Sequence, residues 1–144
     1  MLQKSSLAPI KVSALTSKSV VSPGEGFKFH LSIFVEGGWH IYSLYPLEGN
    51  ELLATQIRME NIVFTAVGDW EEPNPVLIQD GAVGKMVKGH KGNIEFVRSY
   101  QVPPEAVAKK YTIEGKLIYR ACDNQICNLP QEIPFHTSIE VHHM

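Results

Sequence analysis

Two cysteines, Cys122 and Cys127, are the only ones in this 144-residue chain, and they frame the run Cys122-Asp123-Asn124-Gln125-Ile126-Cys127. A tight turn over such a spacing can bring two Cα atoms within the roughly 4.4–6.8 Å that a disulfide spans. Closing a loop of about six residues removes only about 2 kcal/mol of unfolded-state freedom in the chain-entropy model, less than half the figure for a hundred-residue loop. So local a bridge is a poor staple. A bond at a hairpin tip is exposed and easily reduced, the profile of a labile or catalytic disulfide. From spacing alone, the redox reading and the structural reading stay equally open.

Metal capture is a third reading, in which Cys122 and Cys127 join two of His136, His142 and His143 in a tetrahedral site. His136 and His142 fall on one strand-like run and His142-His143 sits at the chain end, so their spacing carries the idea weakly. The two-residue cysteine spacing of thioredoxins is missing, so the chain is not itself a thioredoxin, although it could serve one. Carboxylates and histidines are scattered without a nucleophile motif, which gives hydrolase or transferase chemistry little support.

The elements that must hold the cysteines are strands. Short runs rich in Val, Ile, Phe, Tyr and Thr alternate with Gly, Pro and Asn clusters, the pattern of an antiparallel sandwich or barrel. Residues 10–15 make a first strand. Ser22-Pro23-Gly24-Glu25-Gly26 is a turn into the strand at 27–35, where Phe27, Phe29, Leu31, Ile33 and Val35 share one face, taken as the core face. After Gly37-Gly38, residues 39–42 form a short strand. A loop over 46–50 leads to strands near 56–59 and 62–67. Residues 70–90, with Pro73, Pro75, Gly81, Gly84 and Gly89, read as too broken for a long regular element, and a loop of that length is usually functional or mobile. Residues 92–102 form a strand stopped by Pro103-Pro104, and 105–110 a single helical turn. Residues 111–121 and 133–141 form an antiparallel pair joined by the cysteine segment, 122–130.

One domain is expected over residues 1–144, with no internal repeat or boundary. The composition, 44% hydrophobic and 19% charged, is that of an ordinary soluble globular protein. A net charge of −2 without a basic stripe excludes a nucleic-acid partner. No stretch approaches the ~18 apolar residues of a membrane span, and the opening MLQKSSLAPIK lacks the apolar core of a secretory signal. Met1 and Leu2 read as an added start in front of a mature N-terminus whose leader has been removed, a reading that rests on the cysteines. A structural disulfide of the true immunoglobulin type joins distant cysteines across two sheets under a tryptophan, so Trp39 has no such bridge to pack on.

The run Tyr119-Arg120-Ala121-Cys122-Asp123-Asn124-Gln125-Ile126-Cys127-Asn128-Leu129-Pro130 resembles the signature of the N-terminal periplasmic domain of DsbD-type thiol:disulfide interchange proteins. Gly38-Trp39-His40-Ile41-Tyr42-Ser43, preceded by Pro23-Gly24-Glu25, is similar to that family's early strand, and the likeness extends from about residue 10 to 141. It implies an immunoglobulin-like antiparallel β-sandwich with the cysteine pair on a late hairpin. It also implies a cofactor-free, periplasmic module that relays electrons between thioredoxin-like or membrane-embedded partners and periplasmic proteins, with a link to cytochrome c biogenesis. On the same resemblance Cys127 forms the mixed disulfide and Cys122 resolves it, the full-length protein allows fusion to a transmembrane domain, and a monomer is expected.

The resemblance places His40 and Tyr42 beside the disulfide, where plain cross-strand packing is the alternative. It places a capping loop at Asp80-Gly81-Ala82-Val83-Gly84, making Asp80 and Val83 neighbours of the sulfurs. The family pattern has a bulky aromatic there, whereas this chain has Ala82 and Val83, which leaves shielding to Leu77, Ile78 or Tyr45, or leaves a mobile surface loop. The rival function is an extracytoplasmic immunoglobulin-like binding module whose hairpin disulfide is structural.

Overall fold

The computed structural model describes residues 9–143. Its strands are β1 (Ile10–Thr16), β2 (Val20–Val21), β3 (Gly26–Val35), β4 (His40–Tyr42), β5 (Gln56–Glu60), β6 (Thr65–Glu71), β7 (Val76–Asp80), β8 (Lys85–His90), β9 (Gly92–Gln101), β10 (Lys109–Tyr119), β11 (Ala121–Cys122) and β12 (Gln131–Val141), with a 3-10 turn at Glu51–Leu53. They form three four-stranded sheets, ordered β1-β3-β9-β6, β2-β12-β10-β5 and β11-β4-β8-β7.

The first two sheets make an immunoglobulin-like β-sandwich. Alternation in β3 buries Phe27, Phe29, Leu31, Ile33 and Val35, as the sequence pattern requires of a strand with one covered face. Phe96 and Tyr100 of the neighbouring β9 join them on that face, and across the interior lie Ile113 and Leu117 of β10 and Phe135, Ile139 and Val141 of β12, all in one cluster. Phe29 stacks at a tilt on Phe135 with centroids 5.8 Å apart and meets Trp70 edge-on at 6.0 Å. Each such fully buried side chain contributes about 1.5–3 kcal/mol. This core therefore outweighs a local disulfide many times over. Trp39 packs on the edge of this cluster.

The third sheet grows from the ends of the sandwich strands. β3 continues into β4 through the turn at Gly37-Gly38, β8 runs into β9 through Gly92 at φ +71°, and β10 breaks at Arg120 before β11. β10 pairs with β12 from Lys109↔Val141 to Tyr119↔Gln131, the antiparallel pair expected from sequence. Past Arg120, however, the chain leaves that ladder, and β11 pairs with β4 instead: Ala121↔Ile41 and Cys122↔His40.

Other expectations need correction. Residues 70–90 are no irregular loop: they hold the end of β6 and the hairpin β7–β8, paired from Val76↔Gly89 to Asp80↔Lys85. Gly84 sits at φ +74° in its turn, where only glycine is comfortable. Gly89 lets β8 meet β4, since a Cβ there would lie 2.7 Å from the Ile41 carbonyl oxygen. Glycines that read as breakers thus mark close approaches. The strand expected at 62–67 begins later, at Thr65, after Asn61 turns the chain at φ +51°. The helical turn expected at 105–110 is a simple turn closed by Ala106 N–H to Pro103 C=O (3.1 Å), and β10 starts at Lys109. β2, too short to show a pattern, pairs parallel to β12.

Candidate functional site: a capped disulfide at the end of the sandwich

Cys122 and Cys127 form a disulfide, with Cα atoms 4.0 Å apart. Their turn is a small hairpin of its own. The two cysteines pair as an isolated antiparallel bridge, Asn128 N–H donates to Ala121 C=O (2.9 Å), and Asp123 N–H donates to Ile126 C=O (3.0 Å). The Asp123 carboxylate accepts the N–H groups of Gln125 and Ile126 at 3.0 and 2.9 Å, and these bonds hold it below the ordinary aspartate range. Asn124 takes φ +83°, a left-handed position that Asn tolerates better than most residues.

The two sulfurs are not equivalent. Cys122 is fully buried, in a small cluster with Tyr42 and Val87 that Leu53, Ile78, Ala82, Val83 and Cys127 flank. Cys127 is half-buried, between the exposed Ile126 and Leu129. The sequence reading of an exposed hairpin tip therefore holds for one sulfur only, because the third sheet covers the other.

The two-residue period of β4 points His40 and Tyr42 to the same side, and the Cys122↔His40 pairing sets that side against the disulfide. The Tyr42 hydroxyl donates to Asp80 Oδ2 (2.7 Å) and its oxygen lies 2.8 Å from Cys122 Sγ and 3.8 Å from Cys127 Sγ. His40 Nε2–H donates to the same Asp80 oxygen (2.7 Å) and its ring meets Tyr42 edge-on at 5.6 Å. Asp80 Oδ1 accepts the N–H groups of Ala82 (2.8 Å) and Val83 (3.3 Å). Burial pushes the Asp80 carboxyl up, but hydrogen bonds from Tyr42, His40 and Ala82 outweigh it, and the group lies below the ordinary aspartate range. Burial first, then the hydrogen bond to Asp80 and its charge, push the Tyr42 phenol well above its usual value, so it stays protonated.

The β7–β8 turn closes over this network. Gly81 N–H donates to Asn124 Oδ1 (2.7 Å), tying the turn to the cysteine hairpin. A Cβ at Gly81 would collide with the Asn124 carbonyl oxygen. Gly81→Ala is thus expected to lift the turn from the cysteine hairpin and to raise the rate of disulfide reduction by glutathione several-fold, measured by thiol labelling. An unchanged rate would show that this contact does not shield the bond.

All four residues placed beside the disulfide from sequence, His40, Tyr42, Asp80 and Val83, come together there. Of the alternative shields, Ile78 packs at the site, Leu77 is exposed, and Tyr45 donates its hydroxyl to Trp70 C=O (2.9 Å). The histidines considered as metal partners lie elsewhere. His136 is on β12, His142 Nε2 bonds Glu140, and His143 Nε2 bonds Ala106 C=O. His142 follows an 11-residue strand that carries it about 36 Å along the chain from the β12 end nearest the cysteines. Sequence reasoning missed Asn124 as the anchor of the cap, and a second buried network. There Glu72 accepts from His90 Nε2 (2.9 Å), Ser43 Oγ (2.5 Å) and Leu44 N–H (3.1 Å), fixing the strand ends around the third sheet.

Fold and site together define an immunoglobulin-like sandwich with a local disulfide at one end, backed by a tyrosine and covered by a hairpin turn. The chain belongs to the family described as thiol:disulfide interchange protein DsbD, N-terminal, whose model matches residues 8–138. Among solved structures it is similar to the N-terminal periplasmic domain of ScsB from Proteus mirabilis, with 19% identity and a TM-score of 0.62 over 94% of this chain and 48% of that one. The chain thus spans about half the length of that structure. A family 123 glycoside hydrolase from Clostridium perfringens matches at 9% identity and a TM-score of 0.47, over 95% of this chain and 28% of that one. No curated protein matches the sequence. Among the described residues no helix is long and apolar enough to cross a membrane.

Proposed function

We propose that this chain is a periplasmic thiol–disulfide exchange module that takes electrons from a thioredoxin-like or membrane-embedded partner and passes them to periplasmic proteins through Cys122 and Cys127. The observation that carries this reading is the asymmetry of the bond: one sulfur half-open among apolar residues, the other buried against a hydroxyl. A partner thiolate attacks Cys127 Sγ along the S–S axis, the S–S bond breaks, and Cys122 leaves as the thiolate beside Tyr42. A second partner thiol then attacks the mixed disulfide, releasing the partner oxidised and this chain as a dithiol. In the onward step the Cys127 thiolate attacks a substrate disulfide and Cys122 resolves the adduct. Membership of the DsbD family supports the reaction class, and the periplasmic origin of the ScsB domain supports the compartment.

Ile126 and Leu129 are 56% and 78% exposed and give a partner an apolar footing beside Cys127. The carboxylates and the phenol act on the geometry and charge of the site and need no cofactor. Incubation of the oxidised protein with a reduced thioredoxin-like domain is expected to open the bond, the Cys127 thiol being alkylated under native conditions and the sheltered Cys122 thiol after acid quenching and unfolding. If neither cysteine became a thiol, the bond would be a structural clip and the exchange reading would fail.

A further inference from the structure

We propose that the reduced form of this site is a zinc site, with Cys122, Cys127, His40 and Asp80 as its four ligands. Donor atoms of His40, Asp80 and Cys122 already lie within 4.8 Å of one another, all three residues buried. Cys127 is the bonded neighbour of the third and completes an S2NO set once the bond opens. Two thiolates on one tetrahedral zinc stand about 3.8 Å apart, the edge set by Zn–S bonds near 2.3 Å. Cysteines whose Cα atoms are 4.0 Å apart reach that separation by side-chain rotation alone. His40 Nε2 and Asp80 Oδ2, now joined through a proton at 2.7 Å, need to open to about 3.3 Å to take the ion in the proton's place.

The surroundings fit such a centre. The N–H groups of Ala82 and Val83 orient the carboxylate through its other oxygen, and the Tyr42 hydroxyl supports Oδ2, the outer contacts that metal-bound carboxylates use. Two thiolates and one carboxylate around a divalent cation leave a single negative charge, with Arg120 near enough to act on Tyr42. Among thiophilic ions, Cu(I) has little use for a carboxylate, whereas Zn²⁺ takes Cys, His and Asp together. The ion displaces one proton from each thiol to solvent, and the His40 Nε2 proton moves to Nδ1 so that the neutral ring binds through Nε2; with both sulfurs on the metal, a zinc-loaded site is closed to exchange. The inference rests on the bond being reducible but not on a protein partner reducing it.

A trialkylphosphine supplies the electron pair that splits the S–S bond, leaving two thiols and, with water, a phosphine oxide. Zinc titration against a chromophoric chelator is then expected to show one ion per reduced chain and none per oxidised chain. Cobalt substituted for zinc is expected to give sulfur-to-metal charge transfer and the intense visible bands of a tetrahedral ion. His40→Ala and Asp80→Asn are each expected to weaken zinc binding by about tenfold or more, while His136→Ala leaves it unchanged. No uptake by a reduced chain with both thiols titratable, equal uptake by the oxidised chain, or unweakened binding in both site variants would overturn the assignment. The cobalt spectrum of the unaltered chain decides the matter should a variant fail to fold: an octahedral or sulfur-free spectrum refutes it. Failure of a protein partner to reduce the bond, with normal zinc uptake after the phosphine, would overturn the exchange function alone.

Discussion

Replacing Cys122 by Ser is expected to leave the reduced protein locked to the partner whose disulfide it attacks. Cys127 is the half-open sulfur and Cys122 the buried one, so the adduct forms at Cys127 and is cleared by Cys122 from within. An internal thiol acts at an effective concentration of at least millimolar, against micromolar free partner, so its loss lengthens the adduct's life by on the order of a thousandfold. The trapped species is a reductant-sensitive complex on a non-reducing gel, with its linkage at Cys127 by peptide mass. Cys127→Ser is expected to form none, because the remaining sulfur lies under Tyr42, Val87 and the β7–β8 turn. An adduct on Cys122 in place of Cys127 would reverse the assigned roles and require the cap to open much further than the exposures imply.

The second large effect is expected at Asp80. Its two oxygens accept four hydrogen bonds, from His40, Tyr42, Ala82 and Val83, in a fully buried position. Asp80→Ala strands those donors and is expected to cost about 3–5 kcal/mol in urea unfolding, the range for breaking a buried charged network on one side. Asp80→Asn keeps the shape and both backbone bonds. Its amide nitrogen can donate to the Tyr42 oxygen and to an acceptor tautomer of His40, so the loss is expected to be smaller, about 1–2 kcal/mol.

The two variants also separate in pH dependence. The folded-state value of Asp80 lies below its unfolded value, so its ionised form contributes stability fully above about pH 4. That contribution is lost as pH falls through the lower folded value. The acid limb of the unfolding free energy is therefore expected to flatten in Asp80→Asn, with less change between pH 5 and pH 2 (roughly the window in which such a group titrates). A limb as steep as that of the unaltered protein would mean that other carboxylates carry the acid sensitivity.

Much of this was legible in the residues, and the reasons are local. Alternation in 27–35 marks a strand with one covered face, and β3 buries those five side chains. The His40-x-Tyr42 spacing puts both rings on one side of any strand, and the lone cysteine pair marks the chemistry. What was not legible is cross-strand. The hairpin β7–β8 hides behind Pro75, Gly81, Gly84 and Gly89, because a glycine that makes a turn and one that admits a neighbouring backbone look alike in sequence. The departure of β11 from the β10–β12 ladder follows from the edge that β4 presents, which no local pattern records. The metal alternative weighed from sequence named His136, His142 and His143, which lie away from the sulfurs, whereas His40, far off in sequence, is the histidine that the sheet pairing sets beside them.

By itself, then, the order of residues determined a β-sandwich and a five-residue-separated disulfide, since period-two alternation and short-range ring closure are properties of neighbouring positions. Only the tertiary structure decided which sulfur is open and which is sheltered. That choice belongs to groups such as Tyr42, 80 residues from Cys122, which reach the bond only when three sheets pack and bring their own hydrogen-bonding demands with them.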